Sequence, residues 1–109
     1  MNGYMNVALM LGAAALAGCA SQDYAESQPW NRWVCDSQTE VFWRHADSEH
    51  EQVDVRLGGS DEVHRLSLEP AGSGALYSDG QLSFHTKGEE GVIYRTANDD
   101  LLGRGCKAP

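Results

Sequence analysis

Ser73-Gly74-Ala75-Leu76-Tyr77-Ser78-Asp79-Gly80-Gln81-Leu82-Ser83-Phe84-His85-Thr86-Lys87 is the stretch that decides the fold. Leu82, Phe84 and Thr86 alternate with Ser83, His85 and Lys87, and a period of two is the mark of a half-buried strand. Asp79-Gly80 interrupts the pattern and reads as a tight hairpin turn, because both central positions of a type I′ turn need positive φ. The runs 73–78 and 81–87 then pair, and the start of one lies beside the end of the other. Ser73 and Lys87 meet at the same end of that hairpin.

The same period extends outward in both directions. Val53, Val55 and Leu57 alternate with Asp54 and Arg56, and Leu66 and Leu68 with Arg65, Ser67 and Glu69. Val92, Tyr94 and Thr96 alternate with Ile93, Arg95 and Ala97. Turn residues separate the runs, and no stretch sustains a helical stripe. Eight strands are expected, near 30–36, 40–46, 50–57, 61–69, 73–78, 81–87, 91–97 and 100–106. Short connections make neighbours antiparallel. The expected fold class is all-β, a small eight-stranded antiparallel barrel filled by its own side chains, with each strand burying one face and no edge left free. Val63 falls out of phase with Leu66 and Leu68, so a bulge is expected near His64.

Composition narrows the function. The chain has 109 residues and a formal charge of −8, from 8 Lys+Arg against 16 Asp+Glu. That length allows one small domain. The acidity argues against nucleic acid, whose phosphates attract Lys/Arg surfaces, and favours a basic partner. There are three cysteines, an odd number that separates one thiol from the other two.

The first of them, Cys19, closes Leu16-Ala17-Gly18-Cys19, which follows the apolar run Val7 to Ala17. The run is too short to span a bilayer and has the length of a signal-peptide core. Together they resemble a bacterial lipoprotein signal, which implies that residues 1–18 are removed and that Cys19 is lipidated. A lipidated cysteine with several acyl chains holds a protein firmly on a membrane. Ala20 after it points to the outer membrane, with the domain facing the periplasm. Residues 20–29 (ASQDYAESQP) read as a flexible tether that extends to roughly 30–35 Å. The domain proper is 30–109. In an oxidising periplasm Cys35 and Cys106, in the first and last strands, are expected to form a disulfide that closes a loop of about 70 residues and contributes roughly 4–4.5 kcal/mol.

Nothing in the chain points to catalysis, a cofactor or a metal. His45, His50, His64 and His85 are scattered, and His45 and His50 with Asp47 and Glu49 read as a polar hairpin rather than a ligand set. No nucleophile elbow, phosphate loop or basic groove is present. What stands out is Ser73, flanked by Gly72 and Gly74 on an exposed tip, beside Lys87, one of two lysines. A hydroxyl beside an isolated ammonium suits contact with carboxylates, although spacing alone reads the two equally as ordinary surface turn residues.

The pattern Trp33-Val34-Cys35, Val53-Asp54-Val55-Arg56-Leu57, Leu66-Ser67-Leu68, Ser73-Gly74-Ala75-Leu76-Tyr77, Phe84-His85-Thr86-Lys87-Gly88 and Cys106 resembles the MliC family, membrane-bound inhibitors of C-type lysozyme. The resemblance covers residues 33–106. It implies an eight-stranded barrel with a disulfide, and an exposed loop that enters the lysozyme cleft. The matching residues are Ser73 and Lys87 with Gly72 and Gly74, supported by Tyr77 and, less directly, Thr86. Two positions depart from the family pattern. Leu76 replaces an Arg before the Tyr, and His85 stands where a Trp or similar residue is expected. A structural or adhesive outer-membrane lipoprotein is the alternative, and it predicts no effect on lysozyme.

Overall fold

The computed structural model describes residues 20–109. The signal segment 1–18 and the lipidation site Cys19 lie outside the described residues.

All eight expected strands form: β1 (Asn31–Val34), β2 (Glu40–His45), β3 (Gln52–Leu57), β4 (His64–Glu69), β5 (Ala75–Ser78), β6 (Leu82–Lys87), β7 (Glu90–Arg95) and β8 (Asp100–Lys107). Each pairs antiparallel with the next, and β1 meets β8, so the sheet is a closed barrel in sequence order. Alternation explains the filling. Val41, Val53 and Val55, with Leu66, Phe84 and Ile93, are fully buried, and Trp33, Tyr77 and Leu82 nearly so. The strands, their pairings and the disulfide all fall between residues 31 and 107, a closed unit with its own core.

Cys35 and Cys106 are disulfide-bonded across a sequence separation of 71. Gly103 makes room for the bridge, since a Cβ there would stand 2.6 Å from the Cys35 sulfur. The outer wall also buries a charge. Asp54 is 1% exposed although it points away from the barrel interior. Arg65 donates to it from Nε at 2.9 Å and from Nη2 at 3.2 Å, and Arg44 adds Nε at 3.4 Å. A carboxylate so enclosed needs both guanidiniums, because a buried unpaired charge is costly.

Four expectations are corrected. Residues 20–29 are not an extended tether throughout: Ala20–Ser27 is an α-helix, α1. Ala, Gln and Glu are good helix formers even without an apolar stripe. Eight helical residues span about 12 Å, well short of the extended reach. No bulge forms at His64. Val63 lies before β4 and is 47% exposed, and the β3–β4 register runs without a shift from Gln52↔Ser67 to Val55↔His64. The register shifts occur instead between β7 and β8, around Ile93, which fills the core of β7 in place of Val92 and Tyr94. Finally, the hairpin turns on Gly80-Gln81, one residue later than expected. Only Gly80 takes positive φ (89°), while Asp79 closes the loop. The Asp79 Oδ1 accepts from the Gln81 and Leu82 amides at 2.9 and 2.8 Å, and the Asp79 amide donates to the Leu82 carbonyl.

Replacing both Cys35 and Cys106 with Ser should lower the unfolding free energy by about 4 kcal/mol, the chain-entropy value for a loop of this size. Urea denaturation of the variant against the oxidised domain measures it, and an unchanged midpoint would contradict a stabilising role for the disulfide.

Candidate functional site

Because successive strands run in opposite directions, the connections 46–51, 70–74 and 88–89 all emerge at one end of the barrel. Ser73 and Lys87 belong to this end. Ala75 pairs with Thr86, and Lys87 with Glu90 across the next turn. Ser73 therefore leads into β5 beside the point where Lys87 leaves β6.

The backbone of the loop is held firmly. Gly74 has φ +67°, and a Cβ on it would collide with the Thr86 carbonyl oxygen. Any other residue at 74 is therefore excluded by both conformation and space. The Ser73 carbonyl accepts a hydrogen bond from His85 Nε2 at 2.8 Å. A carbonyl oxygen only accepts, so that ring nitrogen carries the proton. Ser73 is exposed, and among the described residues its hydroxyl has no hydrogen-bond partner. The Lys87 ammonium likewise forms no ion pair among them. Lys87 lines a cleft of about 270 Å³ with His85, Glu90, Gly91, Val92 and Gly105.

Behind this rim lies an aromatic mouth. Trp33 meets Trp43 edge to face at 5.2 Å and Phe84 at 5.8 Å, and Trp43 meets His45 at 5.4 Å. His45 and His50 stack at 3.8 Å with 11° between their planes. The buried Tyr77 hydroxyl donates to the His50 carbonyl at 3.3 Å. Burial, helped by the nearby Asp47 charge, raises the Tyr77 pKa and keeps the phenol a donor. Thr86 lines a small cavity of about 180 Å³ in this mouth with Trp43, His45 and Tyr77.

The expected site residues thus divide into two groups. Ser73, Gly74 and Lys87 come together at the hairpin end, and Gly72 is exposed on the same loop. Tyr77 and Thr86 face the barrel mouth and support the rim from within. Two contributors were missed by sequence reasoning. His85, which departs from the family pattern, is the residue that pins the Ser73 carbonyl. The only signal for this was its position two residues before Lys87, on the same face of β6. The stacked His45–His50 pair was read as part of a polar hairpin. Among the described residues, no group of three or more His, Cys, Asp or Glu is placed to hold a metal.

The His45 pKa is lowered, first by burial and then by His50, with Asp47 opposing. The folded state therefore resists a proton that the unfolded chain accepts near pH 6.5. Stability from this group is full above that pH and is lost as pH falls below it. Thermal melts at pH 7.5 and 5.5 should show the drop, and His45→Phe should reduce it. An equal drop in that variant would remove His45 as the cause.

A family model described as membrane-bound lysozyme-inhibitor of c-type lysozyme matches residues 33–102. No curated protein and no solved structure matches the chain.

Proposed function

The chain belongs to the MliC family of membrane-bound inhibitors of c-type lysozyme, and from that premise we propose that it blocks the enzyme by placing Ser73 and Lys87 in its active-site cleft. The single observation that carries this reading is the register that sets the Ser73 loop, its backbone fixed by Gly74 and His85, beside the end of β6, where Lys87 forms no ion pair among the described residues. Little ordering entropy remains to be lost on binding, which favours affinity.

Lysozyme works with two carboxyl groups that flank the scissile bond. The Ser73 hydroxyl donates a hydrogen bond to one of them, and the Lys87 ammonium pairs with the ionised one. In a cleft emptied of water such charge-assisted bonds are short and strong. The loop also occupies the space the sugar needs, so inhibition requires no covalent step. The remainder of the domain contributes through its charge. A net −8 attracts a cationic lysozyme and raises the association rate, an effect that salt weakens. Leu76, where the family pattern has an Arg, is half-buried and pairs with His85 across the hairpin. That position supplies no additional cation to the rim.

The domain 20–109 should slow lysozyme-driven clearing of a cell-wall suspension. A Ser73→Ala/Lys87→Ala variant should fold normally and lose most of that effect. Each single variant should weaken binding roughly 5- to 150-fold, the equivalent of about 1–3 kcal/mol per contact. Full inhibition by the double variant would sink the insertion mechanism.

Membrane attachment is assigned in this reading to a lipid on Cys19, with the barrel held at the outer membrane and facing the periplasm. The apolar run ending in Leu16-Ala17-Gly18-Cys19 and the membrane-bound character of the family support it. Cells grown with labelled palmitate should mark the protein, and Cys19→Ala should abolish the label. An unlabelled parent protein would rule the anchor out.

A further inference from the structure

The barrel carries one wall whose charge opposes that of the whole. Four of the eight cationic residues, Arg32, Arg44, Arg56 and Arg65, project from the outer face of adjacent strands β1–β4. The register sets Arg32 beside Phe42, Phe42 beside Arg56, and Arg44 beside Asp54. The carboxylates within this group are already engaged. Glu40 accepts from Arg32 at 2.7 Å, and Asp54 is held by Arg44 and Arg65.

Arg56 is different. Its guanidinium lies over the Phe42 ring at 4.4 Å and the Trp30 ring at 5.1 Å, and it forms no ion pair among the described residues. Trp30 also covers the Arg44 guanidinium at 4.1 Å. A guanidinium stacked on rings uses its faces for packing and keeps its N–H edge for bidentate contact with a phosphate or carboxylate. Trp is a side chain that settles at the boundary between lipid headgroups and hydrocarbon.

We propose that this wall, centred on Trp30, Arg56 and Phe42, docks on an anionic lipid surface and so fixes how the barrel sits on its membrane. Three observations select that partner. The wall has four guanidiniums against three carboxylates, of which Glu40 and Asp54 are ion-paired and Glu69 stands at the far end of β4, so its Trp30–Arg56 centre complements phosphate. Trp30 follows Pro29 directly, where the N-terminal segment joins the barrel. In the ring of eight strands, β2 and β3 lie opposite β6 and β7, so docking by this wall turns Lys87 away from the lipid. The overall charge of −8 does not prevent this, because screening at physiological salt confines the interaction to about 8 Å from the surface.

The proposal draws on the membrane-bound character of the family but not on the Ser73–Lys87 mechanism, and the two fail separately. The disulfide-bonded domain 20–109 is sedimented with phosphatidylcholine vesicles, with and without phosphatidylglycerol. Binding should require the anionic lipid and weaken with salt. Arg56→Gln and Arg32→Gln should each reduce it about fivefold, the effect of one arginine near a charged surface. Arg95→Gln, which removes the same charge from β7, should leave it unchanged. All three variants should inhibit lysozyme in solution like the parent, which also shows that they fold. Ser73→Ala should bind vesicles like the parent. Absence of binding to the anionic vesicles, equal binding to neutral ones, or equal losses in Arg56→Gln and Arg95→Gln would overturn the proposal.

Discussion

The barrel closes on a narrow seam. β1 is four residues long, and its register with β8 consists of the single pair Val34↔Lys107. A seam that short cannot hold two sheet edges together by backbone hydrogen bonds alone. The Cys35–Cys106 bridge supplies the missing constraint, and the Asp36 amide adds a bond to the Arg104 carbonyl beside it. Everything else follows from closure. Trp33 is buried only because β1 is held against the ring, and Trp33 in turn packs on Trp43 and Phe84 beneath the Ser73–Lys87 rim. A small polar domain builds a thin core, and here one covalent link makes that core continuous.

The rim shows how rigid elements present two small groups. Ser73 is on a loop, yet its neighbours remove its freedom: Gly74 fits closely against the β6 backbone, and His85 holds the Ser73 carbonyl. Tyr77 extends the same support to the 46–51 connection through the His50 carbonyl. The hydroxyl and the ammonium are thereby left free on a fixed frame. In the proposed mechanism these are the groups that meet the partner, since a loop on a rigid scaffold is where binding residues are commonly carried.

Much of this was legible in the residues. Alternation in Val53–Leu57 and Leu82–Thr86 revealed strands because one face of each is buried, and burial is what writes a period of two. That the Ser73 loop and the end of β6 lie at one end of the barrel followed from hairpin topology alone. What was not legible depended on side chains meeting across space. The Asp79 carboxylate captures two backbone amides and shifts the turn by one residue, a local competition that a dipeptide rule does not see. The helix at Ala20–Ser27 lacks the apolar stripe by which helices are found. The His45–His50 stack forms across one short connection, and Trp30 reaches the Arg56–Phe42 pair from outside the strands, side-chain meetings that an alternating pattern does not announce.

The buried Asp54 has a consequence for strand alignment. Arg44, Asp54 and Arg65 stand in one row across β2, β3 and β4. A slip of one residue would turn Val53 and Val55 out of the core, so the core itself bars it. A slip of two keeps the faces, and Val41, Val53, Val55 and Leu66 are too alike to forbid it by shape alone. It would, however, move a guanidinium away from Asp54 and leave an enclosed charge without its counterpart. The ionic row distinguishes among alignments that the aliphatic core would tolerate, and so specifies a single register.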